Sequence, residues 1–78
     1  MHITEVQKTL DTAKIWRQEV DIWIWEKSTA DITHLRGWYV IGGHWRGGTH
    51  NLKNMVSGAV RKIRDINIFR FNGHEVYV

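Results

Sequence analysis

Asn72-Gly73 constrains this chain more than any other pair of residues. A two-residue type I′ turn needs positive φ at both positions, and Asn-Gly adopts that geometry most readily. Such a turn sets a hairpin over Ile66–Val78 together with its register. Phe71 stands opposite His74, Arg70 opposite Glu75, Phe69 opposite Val76 and Ile68 opposite Tyr77. Phe69, Phe71 and Val76 are then expected on the core face, with Arg70 and Glu75 meeting on the other.

Working back from that hairpin, two further strands stand out. Val20–Lys27 is dense in β-branched and aromatic residues, the composition of a strand. Alternation puts Val20, Ile22 and Ile24 on one face and Asp21, Trp23, Trp25 and Lys27 on the other. Both faces are partly apolar, so either the fold covers both or the Trp23/Trp25 face meets a partner. Ser28-Thr-Ala-Asp31 reads as a polar turn leading to a second strand, Leu35–Ile41. There Trp38 and Val40 should share one face, and Leu35, Gly37, Tyr39 and Ile41 the other.

Two segments read as helices. Ile3, Val6, Leu10, Ala13 and Trp16 recur at three- and four-residue spacing, one apolar stripe over about residues 4–18. Thr4 with Gln7 fits a capping box, and Lys8, Asp11, Lys14 and Gln18 should face water. Leu52, Met55, Val56, Ala59, Val60 and Ile63 repeat the helical spacing, with Thr49 or Asn51 as the cap. Gly42–Gly48, which holds four glycines in seven residues, is expected as the loop before that helix. The fold class that follows is α+β, in the order helix-hairpin-helix-hairpin (αββαββ), with an antiparallel sheet packed against two helices. Residues 1–78 form a single small domain.

A core of this size is marginal, and the absence of cysteine removes disulfides and thiolate zinc sites as staples. Five tryptophans can bury large apolar areas in their place. A homodimer formed through the Trp face is a second way to supplement the core. No apolar run is long enough for a membrane span, and Met1-His-Ile-Thr-Glu has neither region of a signal peptide. A cytoplasmic protein without a membrane partner is the expectation.

The charge is unevenly spread. Residues 1–31 carry net −2, residues 32–64 carry +6 and residues 65–78 carry −1. The central stretch has no acid at all. Its cations, Arg36, Arg46, Lys53, Arg61, Lys62 and Arg64, suit phosphate neutralisation. Trp45 could stack on an unpaired base, and the glycines beside it let backbone amides approach an anion. The candidate nucleic-acid-binding set is therefore Arg36, His44, Trp45, Arg46, Lys53, Arg61, Lys62 and Arg64, an Arg/Trp/Gly loop joined to a basic helix face.

Asn54–Arg64 followed by Ile66–Val78 loosely resembles the recognition helix and wing of winged-helix DNA-binding domains. That resemblance implies a helix in the major groove and a hairpin on the backbone. It covers the last third of the chain, and a Trp-rich hairpin stands where the upstream helix-turn-helix belongs. Tyr39-Val-Ile-Gly with Asn51-Leu52 is similar to the GIY-YIG nuclease pattern, but neither the Arg nor the Glu of that pattern is matched.

Catalysis has little to stand on. Ser28 and Ser57 are the only serines, neither in a nucleophile elbow, and no acid–base pair can be named. The chain is not expected to be an enzyme or to carry a cofactor. His34, His44, His50 and His74 lack metal-ligand spacing, so no metal is expected, and exposed or hydrogen-bonded histidines are the simpler reading. The function expected is a small basic nucleic-acid-binding module. The alternative is a phage- or mobile-element-type protein-binding inhibitor or adaptor, directed at a host defence or nucleic-acid-handling protein, with Trp23, Trp25 and Trp38 as anchors.

Overall fold

The structure, a computed structural model, describes residues 1–27 and 29–78. The Ser28 part of the expected polar turn lies outside the described residues. One helix, α1 (Ile3–Trp16), precedes the strands β1 (Glu19–Glu26), β2 (Asp31–His44), β3 (Thr49–Asn54), β4 (Val60–Arg64), β5 (Ile68–Phe71) and β6 (His74–Glu75). Short 3-10 turns at Trp45–Gly47 and Asp65–Asn67 connect β2 to β3 and β4 to β5. The strands form one six-stranded antiparallel sheet in the order β4-β3-β2-β1-β5-β6.

Helix α1 follows its apolar stripe only as far as Ala13. Val6, Leu10 and Ala13 are buried, whereas Trp16 is 70 % exposed. The N-cap is His2, whose ring accepts from the Thr4 amide, so the Thr4/Gln7 capping box does not form. At the other end Arg17 takes the left-handed conformation, φ 54°, and its backbone N–H donates a hydrogen bond to the Ala13 carbonyl that closes the helix. No helix among the described residues is long and apolar enough to cross a membrane.

The second helix is absent, and the αββαββ order gives way to one helix and a mostly sheet fold. Residues 49–64 are a hairpin: β3 and β4 pair with His50 opposite Ile63 and Leu52 opposite Arg61. Of the six residues that set the helical period, only Leu52 and Ile63 are buried; Met55, Val56 and Val60 are exposed, Val56 almost completely. Burial instead follows period two through His50 and Leu52. Asn54 organises the turn, its Oδ1 accepting from the Val56 and Ser57 amides, and Gly58 has φ 76°. That φ suits a glycine turn and not a helix interior. Without this hairpin β2 would be an unpaired edge.

The expected glycine loop is also partly strand. Gly42 and Gly43 belong to β2, opposite Asn51 and His50. A Cβ at Gly43 would stand 2.4 Å from the Thr49 carbonyl oxygen and 2.6 Å from the His50 Cα, so glycine lets β3 close onto β2.

Bulges decide which side chains face inward. Gly37, φ 72°, is the extra residue where Val20 pairs with Trp38 and Asp21 with Arg36. The expected face of β2 is thereby broken, and Leu35, Trp38 and Val40 all turn toward the core. Phe69 is the extra residue between Ile68 and Arg70 where β5 pairs with β1. Asn72-Gly73 holds its register, with Arg70 opposite Glu75 and Phe71 opposite His74. Phe71 and Ile68 are buried, but Phe69 lies against Trp23 and Trp25 instead of in the core. Tyr77 pairs not with Ile68 but with His2, in a parallel bridge.

Val6, Leu10 and Ala13 of α1 pack on Val20, Ile22, Ile24, Leu35, Val40, Leu52, Ile63, Ile68 and Phe71. The helix thus covers the inner face of the sheet. Glu26 and Arg61 also lie on the inner rows, on strands that are not neighbours, and they form an ion pair. Their contact shows that the sheet curls around its core.

Candidate nucleic-acid interface

Strand alternation assigns the outer face residue by residue. β1 contributes Asp21, Trp23 and Trp25; across from them β2 contributes Arg36, His34 and Ile32. Farther along, Tyr39 of β2 stands opposite Lys53 of β3, and Asn51 opposite Lys62 of β4. On the other side of β1, Arg70 of β5 stands opposite Trp23, and Glu75 of β6 opposite Arg70. Among the described residues no helix lies over this face, and Trp25 is 48 % exposed there.

The aromatics on this face touch one another. The His34 ring stacks on Trp23 with centroids 4.0 Å apart and an 8° interplanar angle. Asp21 holds that imidazole from the side at 2.5 Å. Phe69 lies 6.4 Å from Trp23 and 5.3 Å from Trp25, both tilted. Of the carboxylates on this face, Asp21 is bonded to His34 and Glu19 accepts from the Tyr39 hydroxyl, which raises the tyrosine's pKa. Two of the acids are thus engaged locally, and among the described residues Arg36, Lys53, Lys62 and Arg70 form no ion pair.

The predicted binding residues divide into three groups. Arg36, Lys53 and Lys62 lie on the outer face, whereas Arg64, in the row of Thr49 and His44, lines a cleft with Ile3 and Gln7 on the α1 side. Arg61 points inward to Glu26 and is not available there. His44, Trp45 and Arg46 form a separate cluster against α1. Lys8 Nζ stands 5.7 Å and Arg46 Cζ 5.3 Å from the Trp45 ring centroid, so cations already attend that ring. The basic helix face does not exist as such, because its residues are split between β3 and β4 and, within β4, between the two faces of the strand. The winged-helix resemblance loses its recognition helix with it. Of the proposed Trp anchors, Trp23 and Trp25 are on the outer face, whereas Trp38 packs on the core.

Beneath the Trp45 cluster lies a buried polar network that the sequence pattern did not reveal. His50 is fully buried; its Nδ1 is 2.7 Å from Asp65 Oδ1 and its Nε2 2.6 Å from Asp11 Oδ1. Gln7 Nε2 donates to Asp65 Oδ2 and to the Trp45 carbonyl, and the Trp45 amide donates to Asp11 Oδ2. Burial disfavours the His50 cation, but the hydrogen bonds and charges of Asp65 and Asp11 outweigh it and raise the pKa. Burial likewise works against the Asp11 anion; bonds from His50 and the Trp45 amide, with the charges of His50 and His44, bring its pKa down. Asp11 and Lys14, expected in water, both serve the fold, Lys14 by donating to the Gly43 carbonyl at 2.9 Å.

This network ties α1, β3 and the second 3-10 turn together, and the fully buried His50 has both ring nitrogens within hydrogen-bond distance of carboxylates. No group of three or more His, Asp or Glu among the described residues is arranged to hold a metal ion.

The residues missed on the outer face are His34, Tyr39, Phe69 and Arg70. Alternation already placed Trp23 and Trp25 together; the bulge that turns Phe69 outward has no local signature. No protein-family model, no curated protein and no solved structure matches the chain.

Proposed function

We propose that the chain is a small module for single-stranded nucleic acid, bound across the outer face of its sheet. The observation that carries this reading is one uncovered face on which Trp23, Trp25 and Phe69 adjoin rows holding Arg36, Lys53, Lys62 and Arg70. Single-strand binders combine aromatic platforms for the bases with a cationic track for the backbone. Duplex recognition is less well served, since no helix offers itself to a groove. Fluorescence anisotropy of labelled DNA and RNA 12-mers across a salt series tests the reading. Log affinity should fall linearly with log salt, with a slope of about −0.7 per phosphate contacted. No binding at low salt overturns it.

A second reading, a protein-binding adaptor, draws on a different patch. Ile15 and Trp16 are 71 % and 70 % exposed at the end of α1, and Met55 and Val56 are exposed at the tip of the β3–β4 turn. A protein anchored by these groups would bind with weak salt dependence and would be lost on Trp16→Ala, a change that leaves the outer face intact.

A further inference from the structure

Arg70 and Glu75 stand directly opposite each other on β5 and β6, yet among the described residues neither forms an ion pair. Both line an open cleft of about 460 Å³ on the outer face, floored by Trp23, Phe69, Ile32 and Val76. The volume is that of a small-ligand site. Its walls are aromatic and aliphatic, and its polar groups are one guanidinium and one carboxylate. We infer that this cleft takes a single unpaired guanine of the bound strand.

The chemistry of the base edges selects the occupant. A carboxylate only accepts hydrogen bonds, and a guanidinium only donates them. Guanine alone among the common bases carries two adjacent donors, N1–H and the N2 amino group, to satisfy both oxygens of Glu75. It also presents O6 and N7 together as acceptors for Arg70. Adenine and cytosine offer a carboxylate one amino group, and uracil or thymine one ring N–H. Directly opposed residues on antiparallel strands have Cβ atoms about 4.5–5.5 Å apart, so both side chains can reach one base. Phe69 and Trp23 supply the apolar floor on which its ring rests, as unpaired bases rest on aromatic side chains elsewhere. This inference rests on the outer-face reading proposed above; it adds which base the face distinguishes.

The test uses the full chain and thymidine 12-mers that carry one central guanine, inosine, adenine or cytosine, or thymidine throughout. The guanine strand should bind about 5- to 150-fold more tightly than the all-thymidine strand, the span expected for a bidentate base contact. Inosine, which lacks the N2 amino group, should lose most of that gain. Glu75→Gln should erase the guanine preference while retaining affinity for the thymidine strand, and Arg70→Gln should erase the preference while weakening binding to all five strands alike, with circular dichroism confirming the fold. Equal affinity for all five strands overturns the guanine site and leaves the single-strand reading standing. A preference that survives in both variants also overturns it. Failure to bind any of the five removes the single-strand reading and the guanine site together.

Discussion

Glu26 and Arg61, 35 residues apart and on strands separated by two others in the sheet, meet on its inner side. That contact takes Arg61 off the outer face, the surface proposed for binding, while its neighbour Lys62 stays on it. The two variants should therefore separate. Arg61→Ala should cost about 1 kcal/mol of stability, since the pair is partly exposed, and should leave the salt slope of binding unchanged. Lys62→Ala should leave stability within about 0.5 kcal/mol and make the slope shallower by about 0.7. Denaturant titration and salt-dependent anisotropy on both proteins check this; equal slopes would place Lys62 off the ligand's path.

Stability should peak on the acid side of neutrality. The folded pKa of His50 is raised above its ordinary 6.5, so its contribution is fully present below that value and is lost as pH rises through the folded pKa. The folded pKa of Asp11 is lowered below its ordinary 3.8, so its contribution is present above that value and is lost as pH falls through the folded pKa. Melting temperature measured from pH 3 to 9 should hold its maximum between about 4 and 6.5 and decline on the alkaline side. His50→Gln should lower the maximum by leaving two carboxylates without their cation, about 3–5 kcal/mol, and should flatten the alkaline decline. A wild-type melting temperature that climbs from pH 7 to 9 contradicts the assignment.

Gly43→Ala should be among the most destabilising single substitutions in the chain. Its φ is 101°, and the added methyl would press on the Thr49 carbonyl and the His50 backbone. Strain in the backbone alone costs about 1–3 kcal/mol, and the displaced β3 would draw His50 from its carboxylates. Gly47→Ala, in the 3-10 turn that follows β2, meets no atom within 4 Å and should be nearly neutral. Thermal melting of the two variants beside the wild type makes the comparison. Comparable losses at both sites would show that the approach of β3 to β2 is not limiting.

Trp25→Ala should weaken single-strand binding about 5- to 150-fold, the effect of removing one stacking platform. Trp45→Ala should leave binding nearly unchanged, because its ring lies beside Lys8 of α1 and Arg46 and not on the outer face, while its backbone bonds to Gln7 and Asp11 persist. The comparison is made by anisotropy beside thermal melting. The reverse pattern would return the interface to the glycine-rich segment.

The sequence by itself determined the elements whose signals are local. Asn72-Gly73 set the turn and the pairing of Arg70 with Glu75, because positive φ is a property of two residues. The alternation of Val20–Lys27 separated Ile22 and Ile24 from Trp23 and Trp25, because a strand's geometry depends on nothing beyond itself. The early helix followed from its stripe. Only the tertiary structure decided the rest. Residues 49–64 carry a helical period and nonetheless pair as strands, because β2 presents an open edge and Gly43 lets β3 reach it. The bulges at Gly37 and Phe69 break the alternation, so that Leu35 and Trp38 share the inner side and Phe69 leaves it. His50, Asp11 and Asp65 come from three separate elements and become a network only when the sheet curls. Curling likewise assigns Arg61 to Glu26 and leaves Lys62 to the surface: alternation tells neighbours apart, but only the closed shape says which side is inside.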